Sequence, residues 1–137
     1  MFSVKNLTGR LLEICLAAPF PDREVDDFVA ETRRGVLALL QHHPNLVVCV
    51  DCRRLTVLSQ EASTKVLEMM KVDSPKILRG AYLVDQASFG IQMQRMIRSS
   101  GSPHRRCVTT VDEAVAWLAT SLNERERSRL THFLNGG

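Results

Sequence analysis

The sequence has no apolar stretch long enough to cross a membrane, and it has few aromatic residues. Of its 137 residues, 45% are hydrophobic and only 5% are aromatic. No apolar run approaches the roughly 18 residues that a membrane-spanning helix needs. The first residues also lack the basic and apolar segments of a secretory signal. These absences predict a cytoplasmic globular protein without a transmembrane segment.

The sequence also has little excess charge of either sign. Eighteen basic and fifteen acidic residues leave a net charge of +3, which is too small to indicate a polyanionic partner by itself. Arg95, Arg98 and residues 104–106 are basic, but the aromatic residues and recognition motifs of nucleic-acid binders are missing. We therefore expect a solvated face there and no nucleic-acid partner.

The motifs of common catalytic sites are missing as well. There is no G-x-x-x-x-G-K phosphate loop, G-x-G-x-x-G turn, G-x-S-x-G elbow or H-E-x-x-H metal motif. Cys49 and Cys52 have C-x-x-C spacing, but in an extended segment their thiols lie roughly 10 Å apart, too far for a disulfide. We predict no enzyme, cofactor or metal site. The enzymatic alternative is a nucleophile at Cys52, whose neighbours Arg53 and Arg54 favour a thiolate.

The apolar periodicity predicts an α/β domain. Strands are predicted at residues 2–5, 10–17, 46–51, 77–84 and 105–109. Helices are predicted to begin with caps at Asp22, Ser88 and Thr110, and another helix is predicted to begin near Ser59. This order predicts a single-domain mixed β-sheet of about five strands, with an N-terminal hairpin, a parallel portion and about four helices. Residues 1–122 make up this domain, and residues 123–137 are predicted to form a C-terminal helical tail that docks on its own domain or on a twin.

The chain is organised around the strand at residues 46–51. Its uninterrupted apolar, β-branched run predicts a central strand that is covered on both faces. Binding in open α/β sheets occurs where strand carboxyl ends meet the following helices, so residues 51–62 are the expected functional rim. The candidate partner-binding residues are Asp51, Arg53, Arg54, Ser59, Gln60 and Glu61, together with Asp85 after the next strand. Alternatively, the two arginines are solvated or paired with Asp51 and Glu61.

Four segments carry a resemblance to a known family: residues 50–53 at the end of the central strand, 79–84, 93–98 and 112–118. Together with the element order, they resemble the SpoIIAA-like branch of the STAS superfamily, named for sulfate transporters and anti-sigma-factor antagonists. The likeness covers roughly residues 2–118. It implies a STAS-like fold and a small bacterial signalling or regulatory domain without catalytic activity, which docks to a protein partner.

One family motif departs from its usual form in this chain. The anti-sigma antagonists carry Asp-Ser-Ser-Gly, with a phosphorylatable serine, at the start of the helix after the central strand. In this chain the motif aligns with Ser59-Gln60-Glu61-Ala62, and Glu61 occupies the position of the modified serine. This departure argues against a phosphorylation switch at that position. Two interpretations stay open: phosphorylation at Ser59 or Ser63, or a fixed negative charge at Glu61.

Two further hypotheses follow from the residues. Met69, Met70, Met93 and Met96 form part of the predicted inward faces of two helices, and methionine adapts to irregular apolar ligands. The alternative function is therefore a binding protein for a small apolar or amphipathic ligand held between these helices and the sheet. Leu130, Phe133 and Leu134 make the tail amphipathic, which predicts a possible homodimer.

Overall fold

Five strands form one mixed sheet in the computed structural model, which describes residues 1–136. The strands are β1 (Phe2–Thr8), β2 (Leu11–Ala17), β3 (Leu46–Arg54), β4 (Ile77–Leu83) and β5 (Arg105–Val108), arranged side by side in that order. β1 runs antiparallel to β2, whereas β2, β3, β4 and β5 are parallel. The predicted hairpin, the parallel portion and the central position of the third strand are confirmed.

The part of the chain that the structure describes contains five α-helices, one more than the predicted four. They are α1 (Asp22–Leu40), α2 (Gln60–Asp73), α3 (Ala87–Ser100), α4 (Val111–Ala119) and α5 (Glu124–Leu134), and a short 3-10 helix covers Ser74–Lys76. The fifth helix lies in the predicted tail, where Asn123 and Glu126 form a reciprocal capping box. No helix within residues 1–136 is both long and apolar enough to cross a membrane.

The sheet is covered on both faces, and each face has its own hydrophobic cluster. Phe28 of α1, Val66 of α2 and Met93 of α3 pack with β-sheet residues on one face. Leu118 of α4 and Leu130 of α5 pack with residues of β2, β3 and β4 on the other. The even residues of the predicted central run face the first cluster and the odd residues face the second, which is the alternation that a pleated strand requires.

Helix α5 is docked on its own domain. Leu130 and Leu134 are fully buried in the second cluster. The buried Glu126 accepts a hydrogen bond of 2.7 Å from the backbone amide of Arg10, in the turn between β1 and β2. Of the two docking modes predicted for the tail, α5 therefore takes the intramolecular one.

Several predicted boundaries differ from the observed ones. Thr110 caps α4 through its side chain, as predicted, and α2 begins next to Ser59, which is its N-cap. Asp22 and Ser88 do not cap, because the N-cap positions of α1 and α3 are Pro21 and Gln86. Strand β3 runs three residues further than predicted, to Arg54, and this extension determines where the candidate arginines point.

A candidate charged groove beside the central strand

Residues at the end of β3 alternate between the two faces of the sheet. Cys52 faces the cluster beneath α1, α2 and α3 and is fully buried. Asp51 and Arg53 point to the opposite face, where Arg53 Nη2 donates a hydrogen bond of 2.8 Å to the carbonyl of Leu134 at the end of α5. The strand extension therefore brings Asp51 and Arg53 to the same face as α5.

On that face a groove of about 230 Å³ lies beside α5, and we call it the charged groove. Two cross-strand rows form its floor: Lys5 is paired with Glu13, and Ser3 is paired with Cys15, which is in turn paired with Asp51. Side chains of α5 form one wall. The complete lining comprises Ser3, Lys5, Glu13, Cys15, Asp51, Arg53, Arg54, Arg129, Phe133 and Gly136.

Two carboxylate–guanidinium pairs organise the charged groove. Arg53 donates from Nε to Asp51 Oδ1 at 3.0 Å and from Nη2 to Oδ2 at 2.9 Å. Arg129 on α5 donates from Nε and Nη2 to the two carboxylate oxygens of Glu13, both at 2.8 Å. Such bidentate pairs are strong and directional. Because the Glu13 side chain is only 2% exposed, its pair with Arg129 fixes α5 against β2.

The pairing is reflected in the ionisation of these groups. Partial burial tends to raise the pKa of Asp51, but the hydrogen bonds from Arg53 outweigh it and hold that pKa below its usual value. The hydrogen bonds that Arg53 donates to Asp51 correspondingly raise the pKa of Arg53. Burial raises the pKa of the neighbouring Cys15 thiol. Asp51 and Arg53 are therefore both charged at neutral pH, and Cys15 is a neutral thiol.

The charged groove has an excess of positive charge among its described residues. Four cationic side chains and two carboxylates line it, and the carboxylates are matched by Arg53 and Arg129. Lys5 and Arg54 are exposed, and neither makes an ion pair within residues 1–136. The groove therefore presents two cations that are not neutralised by those two carboxylates.

The remaining predicted site residues lie elsewhere. Ser59, Gln60 and Glu61 are exposed at the start of α2, which covers the sheet face opposite the charged groove. Ser59 Oγ accepts from the amide of Ala62 at 3.0 Å, and Glu61 pairs with Lys65 at 3.4 Å. Both have structural roles within α2.

Asp85 is separate from both groups. It is exposed and lines a different groove, formed by the end of β4, the start of α3 and β5. Of the seven predicted residues, the charged groove brings together Asp51, Arg53 and Arg54. Ser59, Gln60, Glu61 and Asp85 do not line it.

Lys5, Glu13 and Arg129 were not predicted. One local signal was present for Glu13, because it interrupts the apolar strand β2 between Leu12 and Ile14. A charge inside a buried strand requires a partner. The partner is 116 residues away along the chain, so the sequence pattern could not identify it.

The alternative nucleophile Cys52 lacks the ionisation that its chemistry requires. Complete burial raises the pKa of this thiol, and the nearby Asp51 charge acts in the same direction. A reactive cysteine needs a lowered pKa and access to a substrate. Cys52 is a buried apolar residue, with Cys49 on the opposite face of the same strand.

The proposed methionine-lined region contains a small cavity of about 40 Å³ between α1, α2, α3 and the sheet. Its lining includes Met69, Met70 and Met93, together with the buried polar residues Thr32 and Arg105. Arg105 Nη2 donates to the carbonyl of Met70 at 2.8 Å. Thr32 Oγ1 and Arg105 Nε are buried without a hydrogen-bond partner in residues 1–136. An apolar cavity with two unsatisfied polar atoms can hold a polar group.

The fold and the charged groove define an α/β domain in which β1, β2, the end of β3 and α5 line a groove with more cationic than anionic side chains among the described residues. The chain matches no protein-family model, and no curated protein is significantly similar to it.

Proposed function

We propose that this protein is a non-catalytic regulatory or scaffolding module of STAS-like type, which docks an acidic segment of a protein partner in the charged groove. The observation that carries the proposal is the pair of cations, Lys5 and Arg54, that line a concave surface without an ion pair in residues 1–136. Aspartate, glutamate or phosphorylated side chains in the partner are the complementary groups.

The neighbouring contacts make the charged groove suited to recognition. Asp51 and Glu13 are already held by bidentate arginines, so they do not compete for Lys5 and Arg54. Both pairs also fix the groove walls, because Arg53 contacts the end of α5 and Arg129 extends from α5. A rigid surface loses less conformational entropy when a partner binds.

Binding of a fluorescein-labelled peptide of six glutamates tests the proposal, with a six-glutamine peptide as the neutral probe. In fluorescence anisotropy we expect the double variant Lys5→Glu/Arg54→Glu to weaken glutamate-peptide binding by at least about tenfold, since two attractive contacts become repulsive. The matched control is Lys76→Glu/Arg98→Glu, which changes the net charge equally at exposed positions outside the groove. Equal losses in both double variants would contradict a specific role for the groove.

A second candidate function is the binding of a small amphipathic ligand in the methionine-lined cavity. The unsatisfied Thr32 Oγ1 and Arg105 Nε favour it, because a carboxylate or hydroxyl of a ligand would satisfy both. The cavity volume of about 40 Å³ is close to that of a bound water, so a larger ligand requires Met69 and Met93 to move. Native mass spectrometry of freshly purified protein distinguishes the two candidate functions. An added mass that disappears in Thr32→Val/Arg105→Met supports ligand binding in the cavity.

A further inference from the structure

Strand β5 forms an edge of the sheet. The amide of Gly80, on β4, donates a hydrogen bond of 2.9 Å to the carbonyl of His104. The amide of Val84, directly after β4, donates one of 2.9 Å to the carbonyl of Val108. Backbone groups in a parallel ladder point alternately to one side and the other. Residues 104, 106 and 108 therefore face β4, and Arg105 and Cys107 direct their amide and carbonyl groups outward. An edge of this kind is a template for another strand.

Two cations flank this edge on the α4 face. The guanidinium carbons of Arg106 and Arg79 lie 3.9 and 4.1 Å from the centroid of the Trp117 indole. Trp117 Nε1 donates to the carbonyl of Gly80 at 3.0 Å, and Arg79 Nη1 donates to the carbonyl of Trp117 at 2.8 Å. Neither arginine makes an ion pair within residues 1–136. The indole thus holds two cations beside the edge without neutralising them.

The α3 face of the same edge is different. A groove of about 330 Å³ lies between the end of β4, α3 and β5, and its lining combines small or apolar residues with the polar Asp85, Gln86, Gln94 and Thr109. The apolar part includes Ile91, which is 56% exposed, and Cys107, so an apolar side chain beside β5 finds an apolar contact. The edge therefore has a cationic surface on one side and, on the other, a mixed groove that contains an apolar patch.

We propose that an extended acidic segment of a partner protein adds to β5 as a sixth strand. Strand addition supplies backbone hydrogen bonds to Arg105 and Cys107, and the alternation of side chains along the added strand supplies specificity. One acidic side chain faces Arg106 and Arg79, and the apolar residues on either side of it face the α3 groove. This proposal is independent of the charged groove, which lies on β1, β2 and β3.

Charge complementarity selects this occupant over a second copy of the chain. Pairing β5 with β5 of another molecule would bring two cationic strands together, each carrying Arg106 beside Arg79. Like charges on adjacent strands are destabilising. An acidic segment meets the same arginines with attraction.

The test uses a fluorescein-labelled, terminally capped peptide of sequence Thr-Val-Glu-Val-Thr, with glutamine and lysine versions as controls. Fluorescence anisotropy should show that Cys107→Pro weakens binding by about tenfold or more, since proline removes the outward amide of an edge strand. The matched variant Cys107→Ala keeps that amide and loses only the side-chain contact with the groove, so the loss of binding in Cys107→Pro should exceed the loss in Cys107→Ala by about tenfold or more. Arg106→Glu should reverse the preference, so that the lysine peptide binds more tightly than the glutamate peptide.

Hydrogen exchange on the unmodified protein gives a second readout that does not depend on the folding of a variant. The glutamate peptide should slow exchange at the amides of Arg105 and Cys107. Lys5→Glu/Arg54→Glu should leave this binding unchanged. The proposal is overturned if the glutamine peptide binds equally well, if protection appears away from β5, if Lys5→Glu/Arg54→Glu abolishes binding, or if no version of the peptide binds.

Discussion

The ion pair between Glu13 and Arg129 gives the sharpest test of how the charged groove is held together. The perturbation is Arg129→Met, which keeps much of the length of the side chain but removes the guanidinium from the buried Glu13. Because the two residues are 116 positions apart, the pair connects β2 to α5. Loss of the pair is therefore expected to lower the free energy of unfolding of the whole domain.

The magnitude follows from the burial of the two partners. Removing one member of a buried pair typically costs about 3–5 kcal/mol. Here Glu13 is 2% exposed and Arg129 is 20% exposed, so water reaches the site and we expect the lower end of that range, about 3 kcal/mol. For a domain of this size such a loss lowers Tm by roughly 10 °C.

A double-mutant cycle isolates the interaction. Glu13→Met leaves the more exposed Arg129 with access to water and should cost only about 1 kcal/mol. Glu13→Met/Arg129→Met removes both charges and should recover most of the loss, since apolar replacements of a buried pair are often close to neutral.

Urea unfolding followed by circular dichroism, with equal m-values as the check on two-state behaviour, measures each free energy. An unchanged midpoint for Arg129→Met, or a double variant that loses the sum of both single costs, would show that the Glu13–Arg129 pair does not stabilise the domain.

Three other substitutions have defined outcomes. Gly9→Ala places a Cβ at φ +55° and in steric conflict with the Glu126 carboxylate, so urea unfolding should show a loss of about 1–3 kcal/mol. Thr32→Val removes a buried hydroxyl that has no hydrogen-bond partner within residues 1–136, so thermal unfolding should show equal or higher stability, by up to about 1 kcal/mol. Arg53 lowers the folded-state pKa of Asp51 against the effect of burial, so its stabilisation is present at neutral pH and lost on acidification through that lowered pKa. The stability difference between wild type and Asp51→Asn should therefore shrink in urea titrations as the pH falls from neutral through the lowered pKa of Asp51, whereas a constant difference would contradict the assignment.

Local patterns predicted most elements of the fold because their causes are local. The side chain of Thr110 reaches the amide three residues ahead, so the sequence alone indicates this cap, and the start of α2 near Ser59 is likewise indicated locally. Asp22 and Ser88 have equally favourable cap chemistry, but the N-cap positions lie one residue before Asp22 and two before Ser88, where Pro21 and Gln86 take the extended conformation. The direction in which the chain enters each helix is set by tertiary packing, which a single sequence does not display.

The candidate site was predicted only in part, for a geometric reason. Asp51 and Glu61 are ten positions apart in the sequence, yet one lies on the α5 face and the other on α2 at the opposite face. Between these two residues the chain leaves β3 and enters α2, which covers the opposite face, so sequence proximity did not give spatial proximity. Arg129 reaches the charged groove through a pair that spans 116 positions, which periodicity does not reveal. Lys5 reaches it through the register of the β1–β2 hairpin.

Binding of an acidic segment in the charged groove is tested most directly by a nuclear magnetic resonance titration of the isotope-labelled protein with the six-glutamate peptide. If the peptide binds there, the largest amide shift changes cluster at Ser3, Lys5, Cys15 and Arg54. They disappear in Lys5→Glu/Arg54→Glu but persist in Lys76→Glu/Arg98→Glu. Shift changes centred on Ser59 and Glu61 at the start of α2, with the charged groove unperturbed, would contradict it.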